Sequence, residues 1–142
     1  MKIAIGSDHA GFELKERIKD LLIKENLQVH DEGCYSTDSV HYPDVGKSVA
    51  RLVSSGEFNR GVLICGTGLG MSMVANRFPG VRAALCHELF TARMSREHND
   101  SNILCIGGRV VGVSLAEEMV RVWLATPFAG GRHEERISMF DN

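Results

Sequence analysis

The chain has no Cys-x-x-Cys pair, no apolar run of membrane-spanning length and no excess of either charge. Each absence narrows the field. The cysteines at 34, 65, 86 and 105 stand alone, which suits reduced thiols in a cytoplasmic protein better than a disulfide framework or a zinc site. The opening MKIAIGSDHAG has too short an apolar stretch before Asp8 for a signal-peptide core. With 16 basic and 18 acidic residues the net charge is -2, which gives no support for general nucleic-acid or anionic-membrane binding. No linker, repeat or low-complexity stretch divides the 142 residues, so one compact domain over 1–142 is expected. No H-E-x-x-H or comparable spacing links His9, His41, His87 or His98, so no metal is expected.

What is present is a rhythm of short apolar runs and amphipathic segments. The runs are KIAIG (2–6), LQVHD (27–31), GVLICG (61–66), VRAALC (81–86) and NILCIGG (102–108). Most are apolar on both faces, as a parallel sheet covered on both sides requires. Between them, Leu14, Ile18, Leu21 and Leu22 recur at helical spacing, as do Val45, Val49, Leu52 and Val53, and Leu115, Met119, Val122 and Trp123. Segments 68–77 and 87–98 carry weaker helical signals. The strict β-α alternation predicts an α/β fold with an open sheet, and the tail GGRHEERISMFDN predicts a short extra helix that leaves it.

In such sheets ligands bind beyond the carboxyl ends of the strands. Those ends carry Ser7-Asp8-His9, Cys65 with a glycine loop, Cys86-His87-Glu88 and Gly107-Gly108-Arg109. The loop, Gly66, Gly68 and Gly70, reads G-x-G-x-G with Met71 following, so the dinucleotide fingerprint is broken, and no Walker lysine follows. A tight strand-to-helix turn is the plain alternative. Loop amides and a following helix create positive potential, which favours thiolate character in a cysteine at the lip. A phosphate dianion in the same small pocket would oppose that thiolate. If Cys65 acts as a base, the loop better suits a carbonyl oxygen that becomes an oxyanion. The plain alternative is that Cys65 is a buried apolar side chain, like Cys86 and Cys105. Arg132 and Arg136 share a helical face and can clamp an anion, or R-H-E-E-R can be a solvated face with internal salt bridges.

Together GSDHAGFELK (6–15), YPD (42–44), ICGTGLGMSMVANR (64–77), HND (98–100), GGRVVG (107–112) and GGRHEERI (130–137) resemble the sugar-phosphate isomerase family of ribose-5-phosphate isomerase B and the galactose-6-phosphate isomerase subunits. The likeness runs almost end to end. It implies a Rossmann-like three-layer sandwich with a five-stranded parallel sheet, and a homodimer with active sites at the subunit interface, with further pairing into tetramers left open. It implies interconversion of ribose 5-phosphate and ribulose 5-phosphate without metal or organic cofactor. Cys65 matches the base that moves the proton between C2 and C1, and His98 the group that opens the furanose ring. Thr67 matches a residue that shares in proton movement, within the loop Gly66, Gly68, Leu69 and Gly70 around the reacting oxygens. Asp8, His9 and Asn99 match sugar or phosphate contacts, and Tyr42 an aromatic pocket wall. Arg109, Arg132 and Arg136 match the phosphate-end cluster, with Arg109 a candidate for supply across the dimer. Some members use a glutamate just beyond the loop, but here that place reads Met71-Ser72-Met73, which favours Cys65.

Two alternatives stay open from the sequence. One is an isomerase of a hexose 6-phosphate, such as allose or galactose 6-phosphate. The other is a nucleotide-binding or thiol-sensing module without turnover, against which the broken fingerprint and the lack of a partner cysteine argue.

Overall fold

The computed structural model describes residues 1–141. Five strands form one parallel sheet in the order β2-β1-β3-β5-β4: β1 Lys2–Ser7, β2 Gln28–Asp31, β3 Arg60–Cys65, β4 Ala83–Leu85 and β5 Ile103–Gly107. The helices are α1 Phe12–Lys24, α2 Tyr42–Ser54, α3 Leu69–Ala75, α4 Leu89–Glu97, α5 Val113–Ala125 and α6 Arg132–Ile137. A 3-10 turn, His9–Gly11, leads into α1.

The period-2 alternation of the central strands decides which layer each side chain joins. Ile3, Ile5, Val62, Ile64, Leu104 and Ile106 point into one core with Leu14, Ile18, Leu21 and Leu22 of α1, Ala92 of α4 and Met119 and Trp123 of α5. Ala4, Leu63, Cys65, Ile103 and Cys105 point into the other, against Val49, Ala50 and Val53 of α2 and Met71 and Ala75 of α3. Both faces of β1, β3 and β5 are thus dry, which explains their nearly unbroken apolar sequence.

Three sequence expectations change in detail. Leu115 does not join the core stripe. The buried face of α5 is Ala116, Met119, Val120 and Trp123, and Leu115, one residue ahead of Ala116 and so turned about 100° around the helix, stays exposed. The fourth strand is shorter than 81–86. Its outer edge is closed by the Asn76 side chain, which donates to Ala83 O at 2.9 Å and accepts from Ala83 N at 2.8 Å. A side-chain amide thereby occupies a sheet edge that would otherwise invite another strand. The weakly patterned segments 68–77 and 87–98 do form helices, over Leu69–Ala75 and Leu89–Glu97.

The chain turns one way from β1 to β2 and the other way from β3, so β1 and β3 flank the point where the strand order reverses. In open α/β sheets that point, at the carboxyl edge, is where ligands bind.

Candidate active site

At that edge Cys65 closes β3 and is paired in register with Gly107 of β5. It is 5% exposed. The loop turns back so that the Gly68 N–H donates to Cys65 Sγ at 3.2 Å. An amide hydrogen aimed at sulfur stabilises negative charge on it. The turn depends on glycine at 68, where φ is +79°, and a Cβ would stand 2.5 Å from Leu85 Cδ1 and 3.0 Å from the Ile106 carbonyl carbon. Gly107 is required on the other side, because a Cβ there would meet the Thr67 backbone at 2.8 Å. Thr67 Oγ1 accepts from the Leu69 N–H at 3.3 Å, fixing the loop's tip. Gly70 leaves room for Tyr42, whose ring would lie 2.6 Å from a Cβ at that position.

The end of β1 supplies the opposite wall. Asp8 Oδ1 accepts from Ala10 N (3.0 Å) and Gly11 N (3.2 Å), so Asp8 caps the turn that displays His9. His9 Nδ1 accepts from Val40 N at 3.3 Å, which in a neutral ring leaves the proton on Nε2. Arg109 follows β5, and its guanidinium lies over Gly66 of its own chain, 3.5 Å from where a Cβ would be. Asp8, His9, Tyr42, Cys65, Gly66, Thr67, Gly68, Leu69, Gly70 and Arg109 therefore form one group at the carboxyl edge.

The remaining sequence candidates lie elsewhere. His98 caps the C-terminus of α4, and Asn99 follows it. The strand that comes next begins at Ile103, and Asn102 O accepts from Gly61 N at the start of β3. His98 and Asn99 thus sit at the amino edge of the sheet. The tail returns to the same edge. The Ala129 N–H donates to Glu97 O at 3.0 Å, and His133 of α6 stacks on His98 with ring centroids 4.3 Å apart and planes 10° from parallel. Desolvation first, then the charges of His98, Arg132 and Arg136, hold His133 below its ordinary pKa. Among the described residues neither Arg132 nor Arg136 is in an ion pair, so the salt-bridged surface that R-H-E-E-R allowed is not formed. From Gly61 to Cys65 alone, β3 spans about 13 Å. One chain therefore presents two groups at opposite edges and does not bring His98, Asn99, Arg132 and Arg136 to its own Cys65.

The sequence reading named Gly107 only as a strand end and gave no role to Asp100, Arg96 or Arg82. The Gly-Gly after the fifth apolar run was a usable sign for Gly107, whereas nothing local marked Arg82 and Arg96 as partners of Asp100. Among the described residues, no three His, Cys, Asp or Glu side chains converge as a metal site would need, and no helix is long and apolar enough to cross a membrane.

Comparison with known proteins identifies the family. The model of the Ribose/Galactose Isomerase family matches residues 3–140. The chain belongs to that family. As a member it is an isomerase, and it shares its fold with ribose-5-phosphate isomerase B structures. The solved structure from Clostridium thermocellum superposes with a TM-score of 0.96 at 55% identity, covering 97% of this chain and 93% of that one. Ribose-5-phosphate isomerase B of Escherichia coli is 46% identical over 96% of this chain and 91% of its own length. The putative sugar phosphate isomerase YwlF of Bacillus subtilis is 51% identical over 96% and 93%. A further relative, D-erythrulose-4-phosphate isomerase of Pectobacterium atrosepticum, is 42% identical over 96% and 91%.

Proposed function

We propose that this sugar-phosphate isomerase interconverts D-ribose 5-phosphate and D-ribulose 5-phosphate through a cis-enediolate. The observation that carries the reading is the Cys65 thiol at the strand-order reversal, faced by the Gly68 N–H of the glycine loop. In the reaction, Cys65 takes the proton from C2 of the open-chain aldose and returns it to C1. The electron pair released at C2 becomes the enediolate, whose charge falls on the C1 oxygen and is met by the amides of the Gly66–Gly70 loop, with Thr67 at hand for the hydroxyl proton. No group on this path needs a metal or an organic cofactor.

The substrate's far end needs a grip, because remote binding energy positions the reacting carbons. His9 and Arg109 share the carboxyl edge with Cys65, whereas Arg132 and Arg136, at the other edge, are in no ion pair among the described residues. A second copy that docks its amino-edge group over this Cys65 completes the site, and the working unit is a homodimer with interface sites. His98 and Asn99 of that copy then reach the sugar, His98 opening the furanose ring. Exposed Leu69, Met73 and Val110 around the carboxyl edge offer the apolar surface such a dimer covers. The four unpaired cysteines support a reducing, cytoplasmic setting.

The relative that acts on a four-carbon ketose phosphate gives ground for a second reading, in which the preferred substrate has another chain length. A panel of tetrose, pentose and hexose phosphates, assayed with chelator present, tests both. The highest kcat/KM on ribose 5-phosphate is expected. A higher value on a hexose or tetrose phosphate would reassign the substrate, and absence of turnover on every sugar phosphate would end the proposal.

A further inference from the structure

The turn that carries His98 and Asn99 ends on Asp100, which has φ +47°. Glycine or asparagine is the usual choice for a left-handed residue closing a helix. An aspartate is costlier there, so its carboxylate needs a reason. Asp100 Oδ1 accepts from Arg96 Nη1 at 2.8 Å and Oδ2 from Arg82 Nη2 at 3.3 Å. The Asp100 carbonyl also accepts from Arg82 Nε at 2.8 Å. Arg96, 6% exposed, continues to Ser101 O (2.5 Å) and Thr126 O (3.3 Å). Arg82 is itself anchored, its N–H donating to Asn102 Oδ1 at 2.7 Å. Arg60 lies close enough for Arg96 to repel it and Asp100 to attract it, and burial is the main force that lowers its pKa to about 10. One carboxylate thus answers a crowd of guanidiniums, and together they fix both ends of a turn only three residues long, His98–Asp100.

We propose that Arg82, Asp100 and Arg96 form a clamp that holds His98 and Asn99 in their working geometry, with Arg82 and Asp100 as positioning residues. The clamp touches neither substrate nor the proton in flight. It acts by fixing where α4 stops and where the next two side chains project. The inference rests on the reading that His98 opens the substrate ring. Arg82 also lines, with Asn99, Ser101 and Phe140, a cavity of about 330 Å³ at the amino edge, so its guanidinium is within reach of solvent and tolerates replacement better than buried Arg96.

A double-mutant cycle tests the clamp. Arg82→Met removes both contacts to Asp100 without stranding a buried charge, and Asp100→Asn keeps a residue suited to the left-handed turn while removing the charge. Each is expected to lower kcat on ribose 5-phosphate about ten- to a hundredfold, because ångström misplacement of a catalytic group costs that much. Arg82→Lys, which retains one donor, is expected to recover part of the loss, and the melting temperature of the Arg82 variants stays near that of the parent. In a His98→Ala background the effect of Arg82→Met should shrink several-fold, leaving only the part that acts through Asn99. If Arg82→Met costs the same factor with and without His98, it acts elsewhere and the clamp proposal fails. Unchanged kcat in Arg82→Met also overturns it. Full activity of His98→Ala alone would remove the ring-opening reading itself, an outcome separate from the other two.

Discussion

The backbone N–H of Gly68 points at the sulfur of Cys65 across 3.2 Å, three residues on in the chain. That contact turns a residue that could have been filler in an apolar layer into a candidate base. Cys65→Ala should therefore lower turnover of ribose 5-phosphate by a factor of about 10²–10⁴, the usual range for loss of a positioned acid-base group. The fold should persist, since alanine fits the same apolar layer. Near-parental turnover in a folded Cys65→Ala protein would remove the sulfur from the mechanism.

Gly68→Ala probes the loop rather than the thiol. An alanine at φ +79° costs about 1–2 kcal/mol in backbone strain, and its Cβ would press on the Ile106 carbonyl carbon at 3.0 Å. The Leu85 methyl can swing away, but the strand backbone cannot. Urea unfolding should report a loss of about 1–3 kcal/mol, with a fall in kcat beyond what the stability loss explains. Gly112→Ala is the control, because φ there is -69° and no atom lies within 4 Å of the added Cβ. Equal effects of the two substitutions would mean that the loop conformation carries no special function.

These residues also show what the sequence could and could not disclose. The sheet was legible because β1, β3 and β5 are buried on both faces and so nearly uniformly apolar. Cys65 and its loop were legible because strand ends in a parallel sheet are where ligands bind. The exposure of Leu115 was not, since helical spacing fits more than one stripe and the packing of α5 on α4 and α1 selects among them. The separation of His98 and Asn99 from Cys65 was legible in part, because both stand just before the fifth strand rather than after one. The return of Arg132 and Arg136 to the same edge was hidden, because it depends on how the tail packs, a property of topology rather than of any motif.

The stack of His98 on His133 predicts a pH-dependent tail. His133 titrates below its ordinary value of 6.5 in the folded chain, through desolvation and the neighbouring charges of His98, Arg132 and Arg136, against the opposing pull of Glu97. The folded state therefore binds fewer protons at this site than an undocked tail does. The contribution of the stack is full above pH 6.5 and declines as pH falls through the lowered folded value. The protection of the Met139 and Phe140 amides, whose N–H groups bond to Arg136 O and Ile137 O, measured relative to the intrinsic exchange rate at each pH, should fall over that acidic range. His133→Phe retains a ring but takes up no proton, and should flatten the profile. A profile that is flat in the parent protein contradicts the prediction.

Arg132 and Arg136 should report on the phosphate rather than on the chemistry. Neither is in an ion pair among the described residues, so removing either leaves no buried partner stranded. Arg132→Ala or Arg136→Ala should raise KM for ribose 5-phosphate about tenfold or more, as loss of a charge-assisted contact does, with a smaller change in kcat. A change confined to kcat would place these arginines nearer the reacting carbons than the phosphate.

The opposite-edge arrangement makes the strongest demand of all. If each working site joins Cys65 of one copy to His98 of another, Cys65→Ala and His98→Ala homodimers are each nearly dead for different reasons. In a mixed dimer, one site pairs the intact Cys65 of the His98→Ala chain with the intact His98 of the Cys65→Ala chain, while the other site lacks both. Random reassortment of equal amounts puts about half of the molecules in mixed dimers, so about a quarter of the parental activity should return. Co-expression, or unfolding and refolding the two variants together, followed by assay on ribose 5-phosphate, measures it. Sites built from a single chain would give no recovery on mixing, because every site would keep its own defect. Recovery near a quarter requires that the distance between the two edges within one subunit be closed by contact with the next.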